Sequence, residues 1–452
     1  MKVFLIVPRC LNPKQMYREY PLGVGLIATA LRQQGHDVAV YDQNAEGADD
    51  ELLFARLHRF APHVVGFSLI TPNYPVARRQ IARLRSQCPG VCVLAGGIHA
   101  NLFPEDLIAD GVDAVVLGEG QAVMAALLDR VRHGRTWRDL PSLVYRDQRG
   151  EFVHTPPAAE NRAQSDLAII DRDVYNLPLY THHSMLASLG CPYHCKFCCN
   201  YTGTILRAGI TIRPCARVIE EMRYLAERYG AKTVFFVDDV FLLHRSNIRA
   251  FCRRLAQDRL PVQWIAQMRV DAMDRQVAEE MAAAQCQRVY FGVESGSDAI
   301  LRRVGKGIDR EAIRLGIQHA KSAGMRVKTG WIFGLPGTLQ EQYESLPFMR
   351  EVRPHEISIH QLIPFPGTDY YNRPAEHGLR IRDPKDFESF CYGGLGDNIS
   401  FDYLSHAELV GLLEHAVEVL EAEGYVSSDR ASAEDQYVYS TPLSGRSMSV
   451  FR

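Results

Sequence analysis

The sequence predicts an α/β protein of two successive parallel-sheet domains: a doubly wound, flavodoxin-like (Rossmann-type) unit over residues 1–135 and six βα units over residues 182–370. Three observations carry this. Short runs rich in Val, Ile and Leu alternate with amphipathic stretches, as expected where helices cover both faces of a parallel sheet. The alternation lapses between 136 and 181 and then resumes. At 452 residues, 46% hydrophobic and 23% charged, the chain also has apolar material for two or three cores.

In the first series the strand-like runs are 2–8, 37–42, 63–70, 91–97 and 113–120, with helical patterns at 21–35, 75–87 and 121–133. Ligands of such sheets sit beyond the carboxyl ends of the strands. This sequence places Ser68, Gly96-Gly97 and Gly118-Glu119-Gly120 there. Residues 136–181 read as a linker, with a hairpin signal at Asp147–Gly150 and a Pro-Pro pair. The second series has strands at 184–190, 232–239, 262–269, 288–295, 326–334 and 356–365, separated by five helical patterns. Six such units point to an incomplete barrel or another open sheet, and in either the chemistry lies at strand C-termini. Residues 371–452 hold one helical pattern, at 406–423, and a polar tail, and read as a short helical lid or packing segment.

Lys and Arg number 51 against 53 acids, a formal net charge of -2, so no global field draws the chain to nucleic acid or anionic lipid. The C-terminal region lacks the basic stripe of an RNA-binding module. The apolar run from Val3 to Val7 is shorter than a signal-peptide core, and no stretch approaches the ~20 residues of a membrane span. The expectation is a cytoplasmic enzyme acting on a small molecule, with no nucleic-acid or membrane partner. Its eleven cysteines then need an explanation other than disulfides.

Four of them fall within CPYHCKFCC, residues 191–199. Cys191, Cys195 and Cys198 form C-x-x-x-C-x-x-C directly after a strand ending at Gly190. Three thiolates on one loop select zinc or iron–sulfur. A closed zinc site wants four ligands and would need Cys199 or His194, whereas three suit a cubane cluster with one iron open. Asp238 and Asp239 end an apolar strand and are candidate substrate-pocket acids, the alternative being a helix cap. Cys391, in FESFCYGGLGD, is a candidate thiol hydrogen donor, the alternative being an inert buried cysteine.

On these residues the chain resembles radical S-adenosylmethionine (SAM) enzymes of the subgroup with an N-terminal cobalamin-binding domain. The resemblance rests on the three-cysteine loop with Phe197 before its last cysteine, then FVDD (236–239), GVESG (292–296), GWIFGLPG (330–337) and PFPGT (364–368). In the front domain it rests on residues 20–42, VVGFSLIT (64–71), AGGIHANLFPED (95–106) and VVLGEG (115–120), so it spans roughly 1–370. It implies that the second domain is a partial (β/α)6 barrel in which Cys191, Cys195 and Cys198 hold three irons of a 4Fe-4S cluster. SAM chelates the fourth and is cleaved reductively to a 5'-deoxyadenosyl radical that abstracts substrate hydrogen. It further implies that Phe197, Glu294 and Ser295 lie at SAM, that Arg269 neutralises its carboxylate, and that Gly330, Gly334 and Gly337 let backbone approach the adenosine. The alternatives are a helix cap for Glu294, pairing with Asp271 or Asp239 for Arg269, and a plain strand-to-helix turn for the glycines. An external one-electron donor (flavodoxin, ferredoxin or a dedicated reductase) is required, since no G-x-G-x-x-G fingerprint is present.

Cobalamin domains of the methionine-synthase type ligate cobalt through a His in D-x-H-x-x-G after the first strand. Residues 8–20, PRCLNPKQMYREY, contain no His, so cobalamin here would be base-off without a protein His ligand. Ser68-Leu69-Ile70 followed after 25 residues by Gly96-Gly97 matches the spacing of the nucleotide-tail site. The resemblance implies cobalamin-dependent C-methylation of a secondary metabolite. The alternative is a cobalamin-independent radical diol dehydratase of the aminoglycoside type, whose cationic amino-sugar would suit Asp238 and Asp239, or a radical cyclisation or rearrangement.

Overall fold

The front-domain runs form one sheet in the computed structural model, which describes residues 1–10, 19–47, 49–158, 167–180, 182–199, 210–391, 398–428, 430–431 and 436–441. β1 (Lys2–Val7), β2 (Asp37–Asp42), β3 (Val64–Ser68), β4 (Cys92–Gly96) and β5 (Ala114–Val116) are parallel, in the order β2-β1-β3-β4-β5. This is the flavodoxin-like order, with its topological switch between β1 and β3. The strand cores are sealed by helices Leu22–Gln33, Asp50–Phe60, Tyr74–Gln87 and Gly120–Arg132. Apolar residues of each helix, such as Leu53, Phe54 and Leu57, are buried.

The linker reading of 136–181 is corrected by the structure. β6 (Leu143–Arg146) and β7 (Phe152–His154) continue the same sheet as an antiparallel hairpin on the β5 edge. Its turn lies at the predicted place, the Asp147 carboxylate accepting from the amides of Arg149 and Glu151. A three-residue β5 would otherwise leave an open edge, and the hairpin covers it. Further on, Tyr175 donates to the Pro21 carbonyl at 2.9 Å, Tyr180 donates to Asp42 at 2.8 Å, and Tyr20 stacks on Tyr180 at 4.3 Å. Met1–Thr181 accordingly forms one contact unit and His182 begins the second.

The second unit contains all six expected strands as neighbours. β8 (His183–Met185), β11 (Thr233–Phe236), β12 (Gln263–Met268), β13 (Cys286–Glu294), β14 (Arg326–Phe333) and β15 (Glu356–Gln361) are parallel and lie in chain order. The run 184–190 is not one strand. After β8 the chain leaves the sheet, and β9 (Ser188–Leu189) pairs antiparallel with β10 (Thr211–Ile212).

The C-terminal segment is more than a lid. β18 (Val426–Ser427) and β19 (Val438–Ser440) extend the parallel sheet beyond β15, while β16 (Leu379–Ile381) and β17 (Ile399–Phe401) make a separate hairpin. Helix His406–Ala422, opened by a Ser405/Glu408 capping box, packs Leu409 near Gly334. The polar tail 442–452 lies outside the described residues. No helix among the described residues is long and apolar enough to cross a membrane.

Candidate active site

The cysteine loop follows β9, and its position is set from two sides. On one side Asp238, at the end of β11, is fully buried and accepts from the amides of Ala187 and Ser188 and from the Ser188 hydroxyl. These bonds draw the chain out of the β8 ladder, which is why the predicted strand breaks. Asp238 is therefore no substrate-pocket acid: its carboxylate is consumed in launching the loop. Asp239 is exposed and lies near enough to Cys191 to disfavour its thiolate, so of the two acids this one lies beside the cysteine loop.

On the other side stands the segment Val304–Gly307. Lys196 donates its amide to the Val304 carbonyl at 3.0 Å, and a Cβ on Gly305 would come within 3.0 Å of the His194 carbonyl. Arg269 locks the two together. It grips Asp271 with Nε at 3.0 Å and Nη2 at 2.9 Å, donates to the Lys306 carbonyl at 2.8 Å, and lies 3.7 Å from the Tyr193 ring centroid. The guanidinium is only 7% exposed, and this resolves the alternatives left by the sequence. Arg269 pairs with Asp271 and braces the cysteine loop, rather than presenting a bare cation to a SAM carboxylate.

Burial raises the Cys191 thiol above its ordinary range and pushes Cys195 up to about 11, with the nearby Lys306 cation pulling Cys195 the other way. Such thiols wait for a metal, whose binding releases their protons. Among the described residues no three His, Cys, Asp or Glu side chains are gathered to hold a single ion. A cubane spreads its thiolates over separate irons, so the donor set of three soft ligands on one braced loop fits a 4Fe-4S cluster. Phe197 packs against the apolar cluster of Ile300, Val304, Leu335 and Tyr370, anchoring the loop next to Cys198.

Glu294 ends β13 in the left-handed region, φ +71, at a register shift against β14. A non-glycine residue held there costs about 1–3 kcal/mol and persists only where its surroundings fix it. Its carboxylate does not cap the next helix. It folds back over Gly292 and accepts from Lys306 Nζ at 2.8 Å. Ser295 is buried, and its hydroxyl accepts from the Ser297 amide at 3.1 Å, so it is spent on the turn. Gly330 is crossed by the Tyr290 hydroxyl, 2.6 Å from where a Cβ would stand. Gly334 has φ +86, and its carbonyl accepts from Tyr403 at 2.9 Å, while Gly337 is closed in by Ile300 and Glu341. The last two therefore serve the strand-to-helix turn. Cys391 donates to the Glu388 carbonyl at 3.3 Å, within its own loop.

Lys306 was not singled out from the sequence, nor were Tyr290, Lys328 and His360. The last three occupy alternating positions of β13, β14 and β15 on the face that bears Gly292 and Glu294. Lys328 Nζ lies 5.4 Å from the Tyr290 ring centroid, and burial followed by Lys328 lowers His360 to about 4. The signal was present as polar residues recurring every second position within otherwise apolar strands.

In the first unit the predicted ligand positions sit side by side at the strand ends, Ser68 in register with Gly96. Gly97 has φ +95, and a Cβ there would stand 2.6 Å from the Leu69 carbonyl oxygen, so the turn itself demands glycine. Around it the rim is bare among the described residues. A Cβ on Gly96 would meet only Val116 O at 3.5 Å, and one on Gly118 would meet nothing within 4 Å. This fits a flat, bulky group laid across the strand ends. At the switch point Asn44 and Asn73 both donate to the Pro8 carbonyl, at 3.2 and 3.3 Å, a clamp the sequence reading missed. Residues 11–18, where the missing cobalt-ligating His was sought, lie outside the described residues.

The B12 binding domain family matches residues 11–128 and the Radical SAM superfamily matches residues 185–346. The chain belongs to the radical SAM superfamily, in the group with an N-terminal B12 binding domain. An uncharacterized methyltransferase of Pyrococcus horikoshii is 30% identical over 375 residues, covering 80% of each chain. The cytidylyl-2-hydroxyethylphosphonate methyltransferase of Streptomyces wedmorensis is 26% identical, covering 76% of this chain and 73% of the relative. The fold is shared with the radical S-adenosylmethionine methyltransferase TsrM from Kitasatospora setae, solved with cobalamin and a 4Fe-4S cluster bound. The TM-score is 0.75 at 21% identity, over 92% of this chain and 90% of that one.

Proposed function

We propose that the protein is a cobalamin-dependent radical SAM enzyme that methylates a carbon atom of a small-molecule substrate. The observation that carries this reading is the braced three-cysteine loop beside Glu294, with a bare glycine rim at the strand ends of the other unit. The names of the methyltransferase relatives support it. Cys191, Cys195 and Cys198 would hold the cluster, Glu294 would meet SAM, and Ser68, Gly96 and Gly97 would border the cobalamin tail. When bound, these groups supply one-electron cleavage of SAM, the hydrogen-abstracting radical and a transferable methyl. The chain's own part is positioning and exclusion of water. Arg269 and Asp238 hold the loop, and Tyr290, Lys328 and His360 offer polar contacts to a substrate. An external one-electron donor completes the system. Consumption of Asp238 removes one of the two acids that would have favoured a cationic amino-sugar.

The test is anaerobic reconstitution with iron and sulfide, mixing with hydroxocobalamin, desalting and metal analysis. About four irons with about one cobalt per chain is the expected result. Four irons without cobalt would overturn methyl transfer through cobalamin and leave a cobalamin-free radical reaction. No iron would overturn the reading altogether.

A further inference from the structure

Lys306 is 8% exposed, yet it carries an ammonium group into the middle of the site. Burying a cation is costly unless it is paired, and retaining one at such a position calls for a role. Its Nζ donates to Glu294 Oε1 at 2.8 Å and lies 5.7 Å from the ring centroid of Phe197, the residue before Cys198. The backbone gives it no room to withdraw. The Lys306 amide donates to the Leu301 carbonyl at 3.0 Å, its carbonyl accepts from Arg269, and glycines with positive φ flank it on both sides. The segment that carries Lys306 is bonded to the cysteine loop itself, the Lys196 amide donating to the Val304 carbonyl at 3.0 Å.

We propose that Lys306 is the charge-setting residue of the cluster site: its ammonium holds the Glu294 carboxylate in place and stabilises the reduced form of the iron–sulfur cluster held by Cys191, Cys195 and Cys198. This rests on the reading of the cysteine loop as a 4Fe-4S site. The cluster accepts one electron from the external donor and becomes one charge more negative, while the ammonium keeps its proton and no bond is made or broken. A fixed positive charge in a poorly solvated site favours that added electron by simple Coulomb attraction. The neighbouring carboxylate opposes it. The pair thus sets how readily the cluster is reduced, and anything that engages Glu294 changes that balance.

The experiment is a dye-mediated potentiometric titration of the reconstituted cluster, without SAM, followed by electron paramagnetic resonance. Lys306→Met shifts the midpoint to more negative potential, Glu294→Gln shifts it to more positive potential, and Lys306→Arg stays near the parent. The double variant K306M/E294Q returns toward the parent. An unmoved midpoint in K306M, or shifts of the same sign in K306M and E294Q, would overturn the inference. Should K306M fail to assemble a cluster, E294Q decides, and an unmoved or negative shift overturns it. A parent protein that takes up no iron would overturn the proposed function, and this inference with it.

Discussion

The Asp238 carboxylate and the Ser188 hydroxyl meet in a buried hydrogen bond of 2.5 Å, joining the end of β11 to the chain that launches the cysteine loop. Burial raises the Asp238 carboxyl to about 7, against the pull of Ser188 and the Ala187 amide. In the unfolded chain the group titrates near the ordinary ~4. Between those values the folded protein holds the extra proton, so stability falls as pH rises through this window. Asp238→Asn abolishes that titration, and its thermal midpoint declines less than the parent's between about pH 5 and pH 7.5. Equal slopes would contradict the assignment. Asp238→Ala strips two amides and a hydroxyl of their acceptor, at a cost of about 2–5 kcal/mol.

Single replacement of Cys191, Cys195 or Cys198 by Ser is expected to lower iron content after reconstitution to below about half of the parent's, since a cubane loses a corner ligand. Cys199→Ser keeps the iron. Iron retention in the first three, or loss in the fourth, would redraw the ligand set.

Arg269→Met leaves Asp271 and the carbonyls of Lys306 and Gly307 without the guanidinium as donor and removes the cation stacked on Tyr193. Asp271 is about one-third exposed, so water screens part of the loss. The expected destabilisation is about 1–3 kcal/mol, read from denaturant unfolding, together with faster loss of iron to a chelator. Because the guanidinium acts on geometry, Arg269→Lys restores little: an ammonium cannot make the two parallel bonds to Asp271. Full restoration by Lys would refute the bracing role.

Gly97→Ala forces a Cβ into the Leu69 carbonyl at a backbone angle that alanine disfavours. With φ +95 and ψ -178 the residue lies in a region essentially restricted to glycine, so the conformation alone costs about 1–3 kcal/mol, and the clash adds to it. Thermal unfolding of the first unit should move down and cobalamin retention on desalting should fall. Unchanged cobalamin retention would mean that this turn does not border the ligand.

Much of this was legible in one dimension. Strands buried on both faces read as continuous apolar runs, so the parallel strands of β1–β5 and the six neighbouring strands from β8 to β15 were visible as such. The cysteine loop was visible too, because its cysteines are close in sequence. The hairpin β6–β7 was seen as a turn but not as part of the sheet. Its partner β5 lies 27 residues before Leu143, and edge pairing leaves little trace in composition. The broken strand at 184–190 was missed because its cause, Asp238, is about 50 residues downstream.

The roles of individual charges were the least legible. From sequence, Arg269 could be a SAM ligand or a partner of Asp271 or Asp239, and Glu294, read first as a SAM ligand, had a helix cap as its alternative. Only tertiary structure decides such cases, because a long charged side chain reaches several partners and burial selects among them. What the sequence determined by itself was the succession of strands, the family and the three-cysteine loop proposed to hold the cluster, which depend on periodicity and on short spacings. What only the fold decided was which polar groups are consumed in holding the site and which, like Glu294 and Lys306, are brought together from opposite ends of a turn and a helix. Hydrogen-bond geometry and desolvation act over a few ångströms, whatever the distance along the chain.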